Sequence, residues 1–171
     1  MKEQEIKRRS FLRYAATAAI AAPLLSDSKA AQAGRTNTRL RKALQLGMLP
    51  KNLTDADKFK LARRCGFEGI EGSPMKDIDA ARRLGELARE AGTPIHSIVY
   101  GGWRAPFSSP DPRAIERGLA GMETALRSAK AQGADTVLLV PAVLNEEVGY
   151  GQAYERSQRH IRKLLPLAEE L

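Results

Sequence analysis

Two periods of apolar residues alternate along most of this chain. Residues 43–49, 67–71, 94–100 and 135–141 are short apolar-rich runs that read as strands, the last almost wholly apolar, as a strand buried on both faces should be. Between them, apolar positions recur every three or four residues, as on one face of a helix. Ala56, Phe59, Ala62 and Cys65 form the first stripe, and Ala81, Leu84, Leu87, Ala88 and Ala91 the second. Ile115, Leu119, Met122, Leu126 and Ala129 form the third, and Ala153, Tyr154, Ser157, Ile161, Leu164, Leu165 and Ala168 the fourth. The boundaries carry their own chemistry. Thr54 and Asp57 make a capping pair, Asp77 or Asp79 opens the second helix, and Asp111-Pro112 combines an N-cap with a proline in the first turn. Gly66, Gly92 and Gly133 each stand where a helix must leave through a left-handed residue, and a strand begins shortly after.

Strand and helix in strict alternation predict a parallel α/β sheet with crossover helices. A dinucleotide fold would need a glycine-rich turn after the first strand, and Leu49-Pro50-Lys51-Asn52 stands there instead. No phosphate-loop lysine motif and no Gly-x-Ser-x-Gly elbow occurs. The rhythm fits a (β/α)8 TIM barrel better. Such a barrel takes about 250 residues, and the chain offers about four βα units, a partial barrel. We expect the N-terminal half of a longer protein, with a small four-stranded domain as the alternative. Open sheet edges would favour aggregation or a homo-oligomer.

Composition changes the picture mainly at the amino terminus. The formal charge is +8. The first 33 residues hold six Lys/Arg and three acids, which leaves +5 for the remainder, spread over helix faces. No basic tail suggests nucleic acid as a partner. The Lys7-Arg8-Arg9-Ser10-Phe11-Leu12-Arg13 run resembles a twin-arginine export signal. An uncharged stretch to Ser26 follows it, and Ala31-Gln32-Ala33 offers a small-residue cleavage site. The uncharged stretch is shorter than the roughly 20 residues of a stable membrane span. The expected organisation is a signal peptide at 1–33, a linker at 34–42 and the barrel half at 43–171, with the twin-arginine translocase as partner and a periplasmic or secreted destination. Cys65 is the only cysteine, so neither an intramolecular disulfide nor a cysteine metal cluster can form. In an oxidising compartment it is expected to be buried at the end of its helix stripe.

Cys65-Gly-Phe-Glu-Gly-Ile-Glu71 resembles the turn into the second strand of xylose isomerase-like TIM barrels, the superfamily of sugar (phosphate) isomerases and epimerases. Residues 133–141 resemble its fourth strand and residues 154–170 its fourth helix. The resemblance implies a small-molecule sugar or sugar phosphate as substrate. It also implies a divalent metal (Mn, Mg, Co or Zn) in the barrel mouth and proton transfer beside a carbonyl by acidic residues. In the isomerases and epimerases the metal ligands come mostly from strands five to eight, so no metal ligand is assigned in this chain. Whether the chain is itself an enzyme is left open, and the four units alone are expected to be inactive. A periplasmic barrel that binds sugar without turning it over, and a DNA-repair barrel of the endonuclease IV type, are the alternatives.

Catalytic groups in such barrels sit at the carboxyl ends of strands. Alternation puts Glu71 opposite Ile70, so it points into the barrel as a pocket carboxylate or as half of a structural ion pair. His96, in line with Ile98 and Tyr100, is a deep core histidine or a substrate contact; in the endonuclease branch an early-strand His is a zinc ligand. The long loop after the third strand carries Trp103, Arg104 and Phe107. The aromatics would cover an apolar sugar face or pack the rim, and Arg104 would meet a phosphate or carboxylate. Glu146 and Glu147 follow the fourth strand and read as solvated loop acids.

Overall fold

A computed structural model describes residues 39–171. The export motif at 7–13 and the cleavage site at 31–33 lie outside the described residues. The elements run β1 (Ala43–Gln45), a 3-10 turn (Leu46–Met48), α1 (Asp55–Arg64), β2 (Gly69–Gly72), α2 (Ile78–Glu90) and β3 (Ile95–Tyr100). They continue with α3 (Pro112–Gln132), β4 (Thr136–Leu139), α4 (Tyr150–Arg162) and α5 (Leu165–Glu170). The strands form one sheet in the order β1-β2-β3-β4, every pair parallel. This is a TIM-barrel-like α/β fold built from four successive βα units.

The helix ends follow the sequence closely. Thr54 accepts from the Asp57 amide, Asp77 from Ala80 and Asp111 from Arg113, so Asp77 and not Asp79 is the cap of α2. Gly66, Gly92 and Gly133 take φ of 81°, 73° and 79°, the left-handed conformation that lets the chain turn back toward the sheet.

Four expectations need correction. The first strand ends at Gln45, because the chain turns into the 3-10 segment and delivers Leu49 to the core. The fourth helix is two: Pro166 has no N–H to give the Arg162 carbonyl, and the chain breaks at Lys163-Leu164 before α5. β4 is not buried on both faces. Thr136 and Leu138 are exposed while Val137 and Leu139 are half-buried, as on an edge strand with helices on one side only. Cys65 is exposed, because it caps α1 beyond the last turn, where the buried stripe has already ended at Ala62.

The core lies between one face of the sheet and the helices. Ile70, Ile95 and Ile98 meet Phe59, Ala62, Ala88, Met122, Ala125 and Ala129 there. Fully burying an Ile or Phe side chain contributes about 1.5–3 kcal/mol, so the three isoleucines alone are a large share of what holds the helices on. Tyr100 belongs to this face too. Its hydroxyl donates to the Gly118 carbonyl of α3 at 3.3 Å, and burial pushes its pKa up.

One polar junction ties α3 to the end of β2. The buried Gln132 amide donates to the Ser73 carbonyl (3.0 Å) and to the Ser128 hydroxyl (2.7 Å). That hydroxyl in turn accepts from the Met75 amide (3.0 Å). Glycines make the approach possible. A Cβ on Gly72 would lie 2.7 Å from Gln132 Oε1, and one on Gly85 of α2 would collide with the Gln132 backbone carbonyl.

The amino-terminal half of α3 packs toward α4 through Phe107, which is 1 % exposed and whose ring lies 6.1 Å from that of His160. Burial, and then the neighbouring Lys163 and Arg159 charges, hold the His160 pKa below its ordinary value.

Two outcomes follow from this packing. Gly85→Ala inserts a good helix former, yet it is expected to destabilise the chain by about 1–3 kcal/mol through overpacking. Gly151→Ala, at an open position of α4, should stabilise it by about 0.5 kcal/mol. Urea unfolding of both variants reads the opposite signs. Because the folded pKa of His160 is depressed, the unfolded chain binds more protons as pH falls through the ordinary histidine range. The stability linked to His160 is thus present above about pH 6.5 and lost below it. Denaturation from about pH 7.5 to 5.5 should show that loss, and His160→Gln should flatten it.

Candidate functional site

The sheet has a second face on which none of the described helices packs. Its membership follows from register. Glu71 pairs with Gln45 on one side and Ser97 on the other, and Ser97 pairs with Thr136. Paired residues in a sheet project to the same side, and Glu71 lies opposite Ile70 and Gly72, which face the core. Gln45, Glu71, Ser97 and Thr136 therefore form one polar row across all four strands.

Glu71 is half-buried near the carboxyl end of β2, and its carboxylate makes no hydrogen bond or ion pair with any described residue. Of its two expected roles, no structural ion pair forms here. The Gln132 and Ser128 bonds to Ser73 and Met75 pin the loop that begins two residues later, which fixes where β2 delivers Glu71. Ser97 is 6 % exposed, and its hydroxyl has no hydrogen-bond partner. Thr136 is exposed and donates to Asp135 at 2.9 Å. Sequence reasoning singled out Glu71 alone. Gln45, Ser97 and Thr136 were missed because the row is set by inter-strand register, although each is a polar residue inside a strand and that signal was available.

His96 stands elsewhere than alternation placed it. The pairing of β2 with β3 shifts between Ile70↔Ile95 and Glu71↔Ser97, so one extra residue of β3 is accommodated there. Ile95 and Ile98 both reach the core side, touching the position of a Gly72 Cβ. His96 is exposed on the opposite side, with its ring against Gly69. It is neither a buried core histidine nor on the face of Ile98 and Tyr100, and it lies toward the amino-terminal ends of the strands.

At the carboxyl ends, two loops are stitched together. The Ser108 hydroxyl donates to the Val143 carbonyl (3.0 Å) and accepts from the Val143 amide (2.9 Å), joining the loop after β3 to the loop after β4. Arg156 of α4 donates to the Ser108 carbonyl at 3.1 Å, and Ser157 to the Pro141 carbonyl at 3.1 Å. Trp103 is 66 % exposed, Arg104 is exposed, and both line a shallow hollow with Tyr100, Gly102 and Ala105. Phe107 is a core residue with no surface left for a ligand, because its ring fills the space beside Gly118. Glu146 and Glu147 are exposed loop acids.

The residues present do not fit a metal centre. Glu71 and His96 share the uncovered face but differ in level along the strands, and no group of three His, Cys, Asp or Glu converges among the described residues. What the site can do is hold polar atoms: a free carboxylate, an amide and two hydroxyls in a line, with an exposed indole and guanidinium at the mouth. No helix among the described residues is long and apolar enough to cross a membrane.

Comparison with known proteins places the fold. Residues 59–171 match the family model described as xylose isomerase-like TIM barrel. A protein of Haemophilus influenzae named for an L-ribulose-5-phosphate 3-epimerase activity, SgbU, is 29 % identical over 126 residues, covering 67 % of this chain and 41 % of that protein. The D-psicose 3-epimerase of Clostridium cellulolyticum H10, solved with D-tagatose, superposes with a TM-score of 0.63 at 15 % identity, over 77 % of this chain and 49 % of that one. The 3-keto-D-glucoside 4-epimerase of E. coli gives 0.61 at 16 %, over 77 % and 53 %. The chain spans about half the length of the relatives it matches. With two thirds of its residues inside the family model and the same parallel βα units in its fold, the chain belongs to the xylose isomerase-like TIM barrel family.

Proposed function

We propose that this sequence is the strand-one-to-four part of an exported sugar isomerase or epimerase, whose reaction moves a proton on the carbon beside a carbonyl. The observation that carries the reading is Glu71: an unpaired, half-buried carboxylate on the uncovered face of the sheet, near the carboxyl ends where barrels of this architecture do their chemistry. The names of the relatives, epimerases of ketoses, a pentulose phosphate and a keto-glucoside, support the substrate class.

In this reading Glu71 accepts the proton from the carbon next to the substrate carbonyl, the C–H electron pair forms the C=C bond as the carbonyl π pair moves to its oxygen, and the enediolate takes a proton back on its opposite face from a second carboxylic acid, supplied by the other strands of a complete barrel. Trp103 offers a flat apolar surface for the less polar face of a sugar ring, and Arg104 offers a guanidinium for a phosphate or carboxylate end. His96, whose ring packs against Gly69 toward the strand starts, is a contact for a deeply seated substrate. The divalent metal of the family would be held by carboxylates and histidine from strands five to eight of a complete barrel. Residues 34–171 alone are accordingly expected not to turn over a ketose. A homo-oligomer remains part of the proposal, since β1 and β4 each have one edge without a strand partner among the described residues.

In a complete barrel carrying these four units, Glu71→Gln should lower ketose epimerisation at least about 100-fold without changing the thermal melt. Parent-like turnover would remove Glu71 from the chemistry, and sugar binding with no exchange of solvent deuterium into the substrate would favour the sugar-binding barrel. Export is tested separately. Residues 1–33 fused ahead of a folded fluorescent reporter should carry it out of the cytoplasm, and replacing both Arg8 and Arg9 with Lys should hold it inside.

A further inference from the structure

The row Gln45, Glu71, Ser97 and Thr136 is more polar than a barrel interior requires. Layers inside such barrels are dominated by bulky branched side chains. The neighbouring positions on the same face include Ala43, Gly69, Val99 and Leu138, as expected for packing. The row interrupts them with an amide, a carboxylate and two hydroxyls, one per strand. Successive members stand one strand spacing apart, about 4.8 Å.

Burial sharpens the oddity. The Ser97 hydroxyl is fully withdrawn from solvent and has no partner among the described residues, and a buried polar group left unpaired is destabilising. Its neighbour in the row, Glu71, is also unpaired. Two adjacent polar groups, one of them deeply buried and both unsatisfied, mark a place that a ligand's polar atoms complete. The chemistry of the row narrows that ligand. An amide, a carboxylate and a hydroxyl can each pair with an alcohol, which both donates and accepts. None of the four is cationic, so the row offers nothing to neutralise a phosphate.

We propose that this row is a subsite for the neutral, hydroxyl-bearing carbons of a sugar. Gln45, Glu71 and Ser97 contact the hydroxyls, and the Ser97 Oγ, unpaired in the structure, is completed by one of them. The inference rests on the reading of Glu71 as a pocket carboxylate and adds the residues that read the substrate's hydroxyls. It separates two ends of the substrate: alcohols lie along the sheet, and any charged group lies at the mouth beside Arg104.

The test is a nitrogen-15 NMR titration of the chain with D-fructose and, separately, with inorganic phosphate. D-Fructose should move the amide signals of Gln45, Glu71, Ser97 and Thr136 with one common dissociation constant, and phosphate should leave them in place. Ser97→Ala should weaken that constant about fivefold, in line with loss of one neutral hydrogen bond, and Ser97→Thr, which keeps a hydroxyl, should restore it. Both variants are compared at matched thermal stability, so a folding defect shows itself in the melt and in Ser97→Thr alike. The subsite is overturned if D-fructose shifts only Trp103 and Arg104, if phosphate moves the row as strongly as the sugar does, or if Ser97→Ala titrates like the parent. The catalytic reading fails by a different sign: D-fructose binds the row, and Glu71→Gln in a complete barrel epimerises at the parent rate.

Discussion

The buried amide of Gln132 is the contact on which the placement of the site depends. It sits at the last position of α3, where that helix, α2 and the end of β2 come together. Its two donated bonds, with the Ser128 hydroxyl as intermediary, hold the backbone at Ser73 and Met75, which has left the sheet and has no ladder to bond to. Without such partners the chain after β2 would carry part-buried peptide groups with no hydrogen bond, and the loop that leaves the sheet just beyond Glu71 would not be held. The junction is tightest at Gly85, where a Cβ would meet the Gln132 backbone; at Gly72 it would meet the ends of the Gln132, Ile95 and Ile98 side chains. Gly72 and Gly85 owe their identity to this packing more than to any turn, since neither has a left-handed backbone.

The second constraint is the irregular pairing of β2 with β3. One extra residue in β3 lets Ile95 and Ile98 both face the helices, which enlarges the core opposite Gly72. The same irregularity moves His96 out to the uncovered face and brings Ser97 level with Glu71. A core demand and a site arrangement are met by one backbone feature, because a shift of one residue changes the side on which a strand residue appears. The uncovered face thus acquires its polar row as a consequence of register.

The mouth is organised by side chains that carry no catalytic signature. Ser108 bridges the loops after β3 and β4, Arg156 and Ser157 anchor them to α4, and Phe107 fills the space beneath. Trp103 and Arg104 are left at the surface of this frame. Three residues that looked alike as members of one long loop therefore divide into a core aromatic and two exposed groups, and only the second kind can meet a ligand.

Much of this protein was legible in the order of its residues. The alternation of periods gave the parallel βα units, the caps at Thr54, Asp77 and Asp111 and the glycines at 66, 92 and 133 gave their limits, and the Cys65–Glu71 motif pointed to the family. Those features are local: capping, helical exit and amphipathic spacing are decided by residues within about one turn of one another. Pro166 was an equally local signal, yet the fourth stripe was read straight through it as one helix. What only the tertiary structure decided depends on partners distant in sequence. Whether Phe107 is core or surface, which way His96 points, whether Cys65 is covered, and that Gln45, Ser97 and Thr136 align with Glu71 are all set by register and helix docking. Strict alternation along a strand cannot reveal a bulge, because the extra residue is accommodated only when a neighbouring strand is present to define the register.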